Sequence, residues 1–187
     1  MIVNDKEYKN PLFVFAMSAE AGNYFQDVET LFTGLGKVNA AYELMKKISE
    51  NRPDIIINLG TAGGFGFKKG EVVNCTAFVQ RDMDVSELGF EKYKTPFSNE
   101  EPILVYGLKM NDLPSGICGT GDSFETNHNT DVYNVVDMES YALALVCKRE
   151  NIPFLCLKYI SDGADDDAAN DWNEEVKKAA QKLRTFF

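Results

Sequence analysis

Two kinds of hydrophobic block alternate along this chain. Residues 12–17 (LFVFAM) form a continuous apolar run, as in a short strand covered on both faces. Residues 31–33, 55–59, 72–79, 103–110, 117–121 and 154–160 predict further strands. Between them, Val38, Ala41, Leu44, Met45 and Ile48 keep helical spacing over residues 38–49. Residues 138–147 predict an almost wholly apolar helix, and residues 172–183 a helix that turns Val176, Ala179, Ala180 and Leu183 inward. Strands alternating with helices predict an α/β layer structure. Pro114-Ser115-Gly116 reads as a turn, not a linker, so residues 1–187 are expected to form one domain. Residues 60–66 (GTAGGFG) predict a glycine-rich turn after the strand at 55–59, open to close approach by a ligand or another backbone. Residues 80–97 (QRDMDVSELGFEKYKTPF) mix charges with aromatics and predict a covering loop, with a second subunit as one candidate for what it covers.

Three acids interrupt the apolar pattern. Glu20 stands just beyond the first strand, Glu139 at the mouth of the apolar helix, and Asp162 at the far end of the strand at 154–160. Each has a bland explanation: Glu20 as a helix-start acid, Glu139 as a complement to a helix N-terminus, Asp162 as a cap on the segment after its strand. Ligands in open α/β folds, however, collect where strands end and helices begin. Acids at those places are together a site hypothesis.

Charge and composition narrow the partners. The formal net charge is −10 and the arginines, Arg52, Arg81, Arg149 and Arg184, are dispersed. Such a surface repels phosphate backbones, so nucleic acid is not expected. No apolar run approaches the roughly 20 residues of a membrane span, and the polar start MIVNDKEYKNP is no signal peptide. Cys75, Cys118, Cys147 and Cys156 lack CxxC spacing and read as reduced, buried thiols of a cytoplasmic protein. His128 is the only histidine. It lies in the polar run ETNHNTD and is expected to be a solvated loop residue, which leaves no His-rich zinc site and no predicted metal. Strand, Gly34-Leu35-Gly36 and helix hint at dinucleotide binding, but the third glycine and the ribose-binding acid are missing.

The runs FAMSAE (15–20), GLGKVNAA (34–41), PDIIINLGTAGG (53–64), RDMDVSELGF (81–90), GTGDSF (119–124), DMES (137–140) and ISDGAD (160–165) succeed one another in the order of a known family. The chain resembles the purine nucleoside phosphorylase superfamily, and within it the 5′-methylthioadenosine/S-adenosylhomocysteine nucleosidases. The resemblance implies a three-layer α-β-α fold with a central mixed sheet, shortened here. It implies hydrolysis of the N-glycosidic bond of 5′-thio-substituted adenosines to adenine and the ribose sugar, without cofactor, by a homodimer. The alternatives are a purine nucleoside phosphorylase, or a nucleosidase for another purine nucleoside or AMP.

By the same resemblance, Glu20 handles the attacking water and Asp162 protonates the purine at N7. Glu139, Met138 and Thr61 would meet the ribose, with Lys158 supporting that region. Phe124 would stack on the base, with Glu125 and Ser161 beside it. Met17, Val85, Leu88, Pro96 and Trp172 would line the pocket for the 5′ group, Leu88 and Pro96 arriving from a neighbouring subunit. Trp172 could equally anchor the last helix. Asp162 can act as an acid only while it holds a proton, which burial and the nearby Asp165, Asp166 and Asp167 would favour. Glu20 and Glu139 are expected to be ionised. The arginines that superfamily phosphorylases set around phosphate are replaced by Ser18-Ala19-Glu20 and Ile57-Asn58, which favours water as nucleophile. The chain departs from the family pattern in three places: a hairpin missing between Glu20 and Gly34, a trimmed segment from Glu100 to Gly116, and Glu125 where an apolar residue is usual.

Overall fold

A computed structural model of the chain describes residues 1–125, 128–163 and 168–187. The strands are β1 (Ile2–Val3), β2 (Lys6–Glu7), β3 (Pro11–Phe15), β4 (Thr30–Phe32), β5 (Ile55–Gly64), β6 (Val72–Gln80), β7 (Ile103–Val105), β8 (Ser115–Thr120), β9 (Val135–Asp137) and β10 (Phe154–Asp162). The helices are α1 (Ser18–Ala21), α2 (Lys37–Glu50), α3 (Ser140–Glu150) and α4 (Ala168–Arg184). β1 and β2 form a separate hairpin, and the remaining strands build one mixed sheet. β3, β4 and β10 run parallel to their neighbours around β5, whereas β6 is antiparallel to β10 and β9 antiparallel to the end of β5. Because β6 also pairs with β8, and β8 with β9, the sheet curls back on itself at that end.

Side-chain alternation sorts the strands' residues into two cores. Leu12, Val14, Ile56, Phe154 and Cys156 pack with Leu44 and Ile48 of α2 and with Leu143 and Cys147 of α3. Phe13, Phe15, Ile55, Ile57, Leu155 and Leu157 face the other way, onto Ala179 and Leu183 of α4 and onto Phe25. Every residue of β10 is buried. This is the predicted layering, helices on both faces of a mixed sheet, and it explains why the strands are continuous apolar runs.

Several expectations are corrected. The glycines at 60–64 form no turn; they are the second half of β5. Glycine is needed there for close packing, since a Cβ on Gly64 would lie 2.8 Å from Ile160 Cδ1 and one on Gly60 3.0 Å from Glu20 Oε1. The strand expected at 103–110 stops at Val105, and β9, only three residues long, carries too little periodicity to be seen in the sequence. The apolar helix starts at Ser140, two residues late, because Asp137 ends a strand. In α2 the buried line is Ala40, Leu44 and Ile48, whereas Val38 is 78% and Met45 41% exposed, so this helix carries a second apolar stripe.

Candidate active site

The C-terminal ends of β3, β5 and β10 open beside the N-termini of α2 and α3, around a cavity of about 420 Å³. Glu20, Glu139 and Asp162 all line it, and all are buried. Three buried carboxyls in one cleft need either partners or protons, and each has a distinct environment.

Glu20 reaches back to accept the Met17 N–H through Oε2 at 3.2 Å, as a helix-start acid does. Its other oxygen, Oε1, accepts both the N–H (2.9 Å) and the hydroxyl (2.8 Å) of Thr61. The Thr61 hydroxyl in turn accepts the indole N–H of Trp172 at 2.8 Å, tying α4 to β5 directly. The helix-start explanation is therefore correct for one oxygen and incomplete for the residue.

Glu139 is the N-cap residue of α3, yet its side chain makes no cap there. Asp137 accepts the Ser140 N–H at 2.9 Å instead, while Glu139 Oε1 accepts the N–H of Gly36 at the head of α2, 2.9 Å away. Gly36 has φ +90 and could not readily be another residue. Burial, then the charge of Asp137, pushes the Glu139 carboxyl up to about 8. The expectation of an ionised Glu139 is thus not met by the protein alone: water is kept from it and Asp137 sets an anion beside it. For Asp137, burial works upward too, but the Lys158 ammonium at 2.9 Å and the hydroxyls of Ser140 and Thr120 outweigh it and hold the carboxyl down at about 2. Lys158 itself is buried and held charged by this pair.

Asp162 is placed by an irregularity. β10 pairs residue by residue with β5 until Ile160, where an extra residue, Ser161, shifts the register before Asp162 meets Gly63. Such a bulge re-aims the strand's last side chains. Ser161 donates to Asp162 Oδ2 at 2.6 Å and also lies 3.3 Å from the Ala62 carbonyl. Asp165, Asp166 and Asp167, expected to raise the proton affinity here, lie outside the described residues.

Loop 121–125 closes another side of the cavity. Phe124 is 54% exposed and lines it. Lys37 pairs with Asp82, Asp122 accepts the Lys37 N–H at 2.8 Å, and Asp82 accepts the Asp122 N–H at 2.9 Å, which fastens the head of α2 to this loop. Glu125 does not aim a bare carboxylate at the cavity. It accepts the Tyr133 hydroxyl at 3.1 Å and sits 3.3 Å from Arg81 and 3.2 Å from His128. His128 is not solvated as expected: its ring stacks on Phe65 at 3.4 Å between centroids. Arg81 also lines the cavity, a role that its scattered position in the sequence does not signal. Among the described residues no group of three or more His, Cys, Asp or Glu is placed to hold a metal ion. None of the described helices is long and apolar enough to cross a membrane.

A sequence profile described as the phosphorylase superfamily matches residues 7–187. The chain belongs to the phosphorylase superfamily. A 5′-methylthioadenosine/S-adenosylhomocysteine nucleosidase of Exiguobacterium is 32% identical over 174 residues, which cover 82% of this chain and 75% of that protein. Among solved structures, a 5′-methylthioadenosine/S-adenosylhomocysteine nucleosidase of Neisseria meningitidis, in complex with methylthio-immucillin-A, superposes with a TM-score of 0.81 at 25% identity, over 94% of this chain and 95% of that one. The Helicobacter pylori enzyme carrying 5′-methylthioadenosine in its active site has the same fold, with a TM-score of 0.87 at 19% identity, over 95% of this chain and 96% of that one.

The superfamily motifs thus meet in space. Met17, Glu20, Thr61, Phe124, Glu125, Met138, Glu139, Ser161, Asp162 and Trp172 all line the one cavity. Val85, Leu88 and Pro96 do not line it within a single copy of the chain. Leu88, the last residue of a short 3-10 turn, is 75% exposed, and Phe97, further along the same loop, is 96% exposed.

Proposed function

We propose that the chain hydrolyses the N-glycosidic bond of 5′-thio-substituted adenosines, releasing adenine and the free ribose sugar. The observation that carries this reading is the convergence of three buried carboxyls on a cavity whose one cationic side chain among the described lining residues, Arg81, is already engaged by loop 121–125. Breaking the bond leaves positive charge on the sugar and puts electrons on the purine. Asp162 gives its proton to N7, so the base departs neutral; Ser161 holds the opposite carboxyl oxygen. Glu20, oriented by Thr61, takes a proton from the water that attacks C1′. Glu139 receives the ribose hydroxyls, and a cationic sugar beside it opposes the burial and the Asp137 charge that favour its proton. Met138 packs on the sugar and Phe124 on the base. Thr61 serves chiefly to orient Glu20. A phosphate ion would need free cations, and burying it beside three carboxyls is unfavourable.

The same reading makes the working unit a homodimer. Leu35 lines the cavity and continues into the exposed stripe Val38, Tyr42 and Met45 along α2, at helical spacing. That stripe, with exposed Leu88 and Phe97, supports seating a second copy at the cavity mouth, where its Leu88 and Pro96 would complete the 5′ pocket begun by Met17 and Trp172. The four buried, free thiols fit a cytoplasmic setting.

The test is product analysis with methylthioadenosine, adenosylhomocysteine, adenosine, inosine and AMP, each with and without phosphate. Adenine and a free sugar from the thio-substituted substrates, at rates indifferent to phosphate, are expected. A sugar 1-phosphate formed only with phosphate would make the chain a phosphorylase; cleavage confined to inosine or AMP would reassign the substrate.

A further inference from the structure

Phe124, which lines the cavity, lies between two residues held by one side chain. Arg81, at the end of β6, is nearly buried, with its side chain 8% exposed. Its terminal nitrogens donate to the Gly121 carbonyl at 3.3 Å, to the Ser123 carbonyl, and to the Ser123 hydroxyl at 3.1 Å. The same guanidinium pairs with Glu125 at 3.3 Å. Glu125 has a side chain only 10% exposed and is bound from behind by the Tyr133 hydroxyl at 3.1 Å and by His128 at 3.2 Å. Gly121 lies directly under Arg81, so close that a Cβ there would come within 2.9 Å of Arg81 Cζ. Residues 121, 123 and 125 are therefore fixed to β6 and to the segment before β9, and Phe124 projects from between two fixed points. Among the described residues Arg81 Nε is buried and finds no hydrogen-bond partner, so the guanidinium's other nitrogens are committed to this loop.

We propose that Arg81 and Glu125 are positioning residues for the base: they clamp loop 121–125 so that Phe124 is held ready to stack, and the Glu125 carboxylate does not itself read the purine. This deepens the nucleosidase reading and rests on it only for the identity of the stacked ring. It also explains how an acid is tolerated at a place beside the base, since its charge is taken up by Arg81, Tyr133 and His128 instead of facing a leaving group that gains electrons.

The experiment is a double-mutant cycle on adenine and substrate binding. Glu125→Leu and Arg81→Lys are expected to raise KM about tenfold with kcat changed less than about threefold, and Glu125→Gln, which keeps an acceptor oxygen for Tyr133, to recover most of the loss. In a Phe124→Ala background, Glu125→Leu should cost little more, because coupled residues are non-additive. Equal cost with and without Phe124, or a fall in kcat at constant KM, would overturn the clamp. Glu125→Leu strands a buried guanidinium, so the paired change Arg81→Met with Glu125→Leu guards against mere unfolding. Hydrogen exchange at residues 121–125 needs no ligand: it should quicken in the clamp variants while β5 and β10 stay protected. Unchanged exchange would refute the clamp whatever nucleoside the protein cleaves, whereas quickened exchange in a protein that binds no adenine would sink only the nucleosidase reading.

Discussion

Asp162 and Glu139 differ in what they can be asked to prove. Asp162 has one chemical task in the proposed reaction, so Asp162→Asn, which keeps size and hydrogen-bonding reach, should lower kcat by about 10²–10⁴ while the protein stays folded. A substrate whose leaving group needs no proton at N7 should suffer far less; equal loss on both substrates would return Asp162 to a strand-end role. Glu139 can be tested through stability alone. Its carboxyl is raised from 4.5 to about 8 by burial and then by Asp137, so the folded protein binds a proton there that the unfolded chain does not. Between those two values stability must fall as pH rises, and the loss is complete above about pH 8. Comparing melting temperatures at about pH 5.5 and about pH 8 should show the wild type losing more than Glu139→Gln, which has no proton to release. Identical slopes would mean that Glu139 is not held protonated.

At the scale of elements, the junction of β5 with β10 does the positioning. Two strands with no room between them carry Thr61 to Glu20 and, through the bulge at Ser161, aim Asp162 into the same cleft. Gly64 leaves no room for a side chain, since a Cβ there would lie 2.8 Å and 3.0 Å from two carbons of Ile160. Gly64→Ala should therefore destabilise the protein by about 1–3 kcal/mol, the usual cost of overpacking. Adding Ile160→Val, which removes the nearer carbon, should restore part of it in urea denaturation. No effect from Gly64→Ala would mean that the strands can part without cost, and the site could not then be held by their register. α4 depends on the same junction, since its Trp172 is hydrogen-bonded to Thr61 while also lining the cavity. Helix anchor and pocket wall, alternatives for Trp172 on sequence grounds, are compatible contributions of one indole.

At the scale of the whole molecule, α2 carries an exposed apolar stripe beside the cavity. Val38 is 78% and Tyr42 65% exposed on α2, next to the cavity mouth. Patches of this kind on a folded protein mark interaction sites. Sedimentation should find a dimer, and Val38→Glu should shift it to monomer at micromolar concentration. Because the 5′ pocket would lose Leu88 and Pro96 of the second copy, the monomer should lose activity on thio-substituted substrates more than on adenosine. A monomeric wild type, or a Val38→Glu variant still dimeric, would place the second copy elsewhere or nowhere.

Sequence alone determined the layering and the candidate acids. Uninterrupted apolar runs mark elements covered on all sides, strands when short and a helix at 138–147, and carboxyls at their ends stand out against them, so Glu20, Glu139 and Asp162 are legible as residues. Their surroundings are not. They come from residues far along the chain: Asp137 and Lys158 near Glu139, Thr61 bonded to Glu20, and a register shift at Ser161, which no periodicity records, behind Asp162. Val38 and Met45 share the helical spacing of core residues and yet lie exposed, because spacing shows that positions share a face and not which face is covered. Glycine content likewise signals close approach but not its kind, and GTAGG is strand because Ile160 and Glu20 crowd it from either side. Arg81 and His128 acquire partners only when loop 121–125 and the segment before β9 are brought together in space. Tertiary structure decided these points because burial and charge act through distance in space, and separation along the chain says little about that distance.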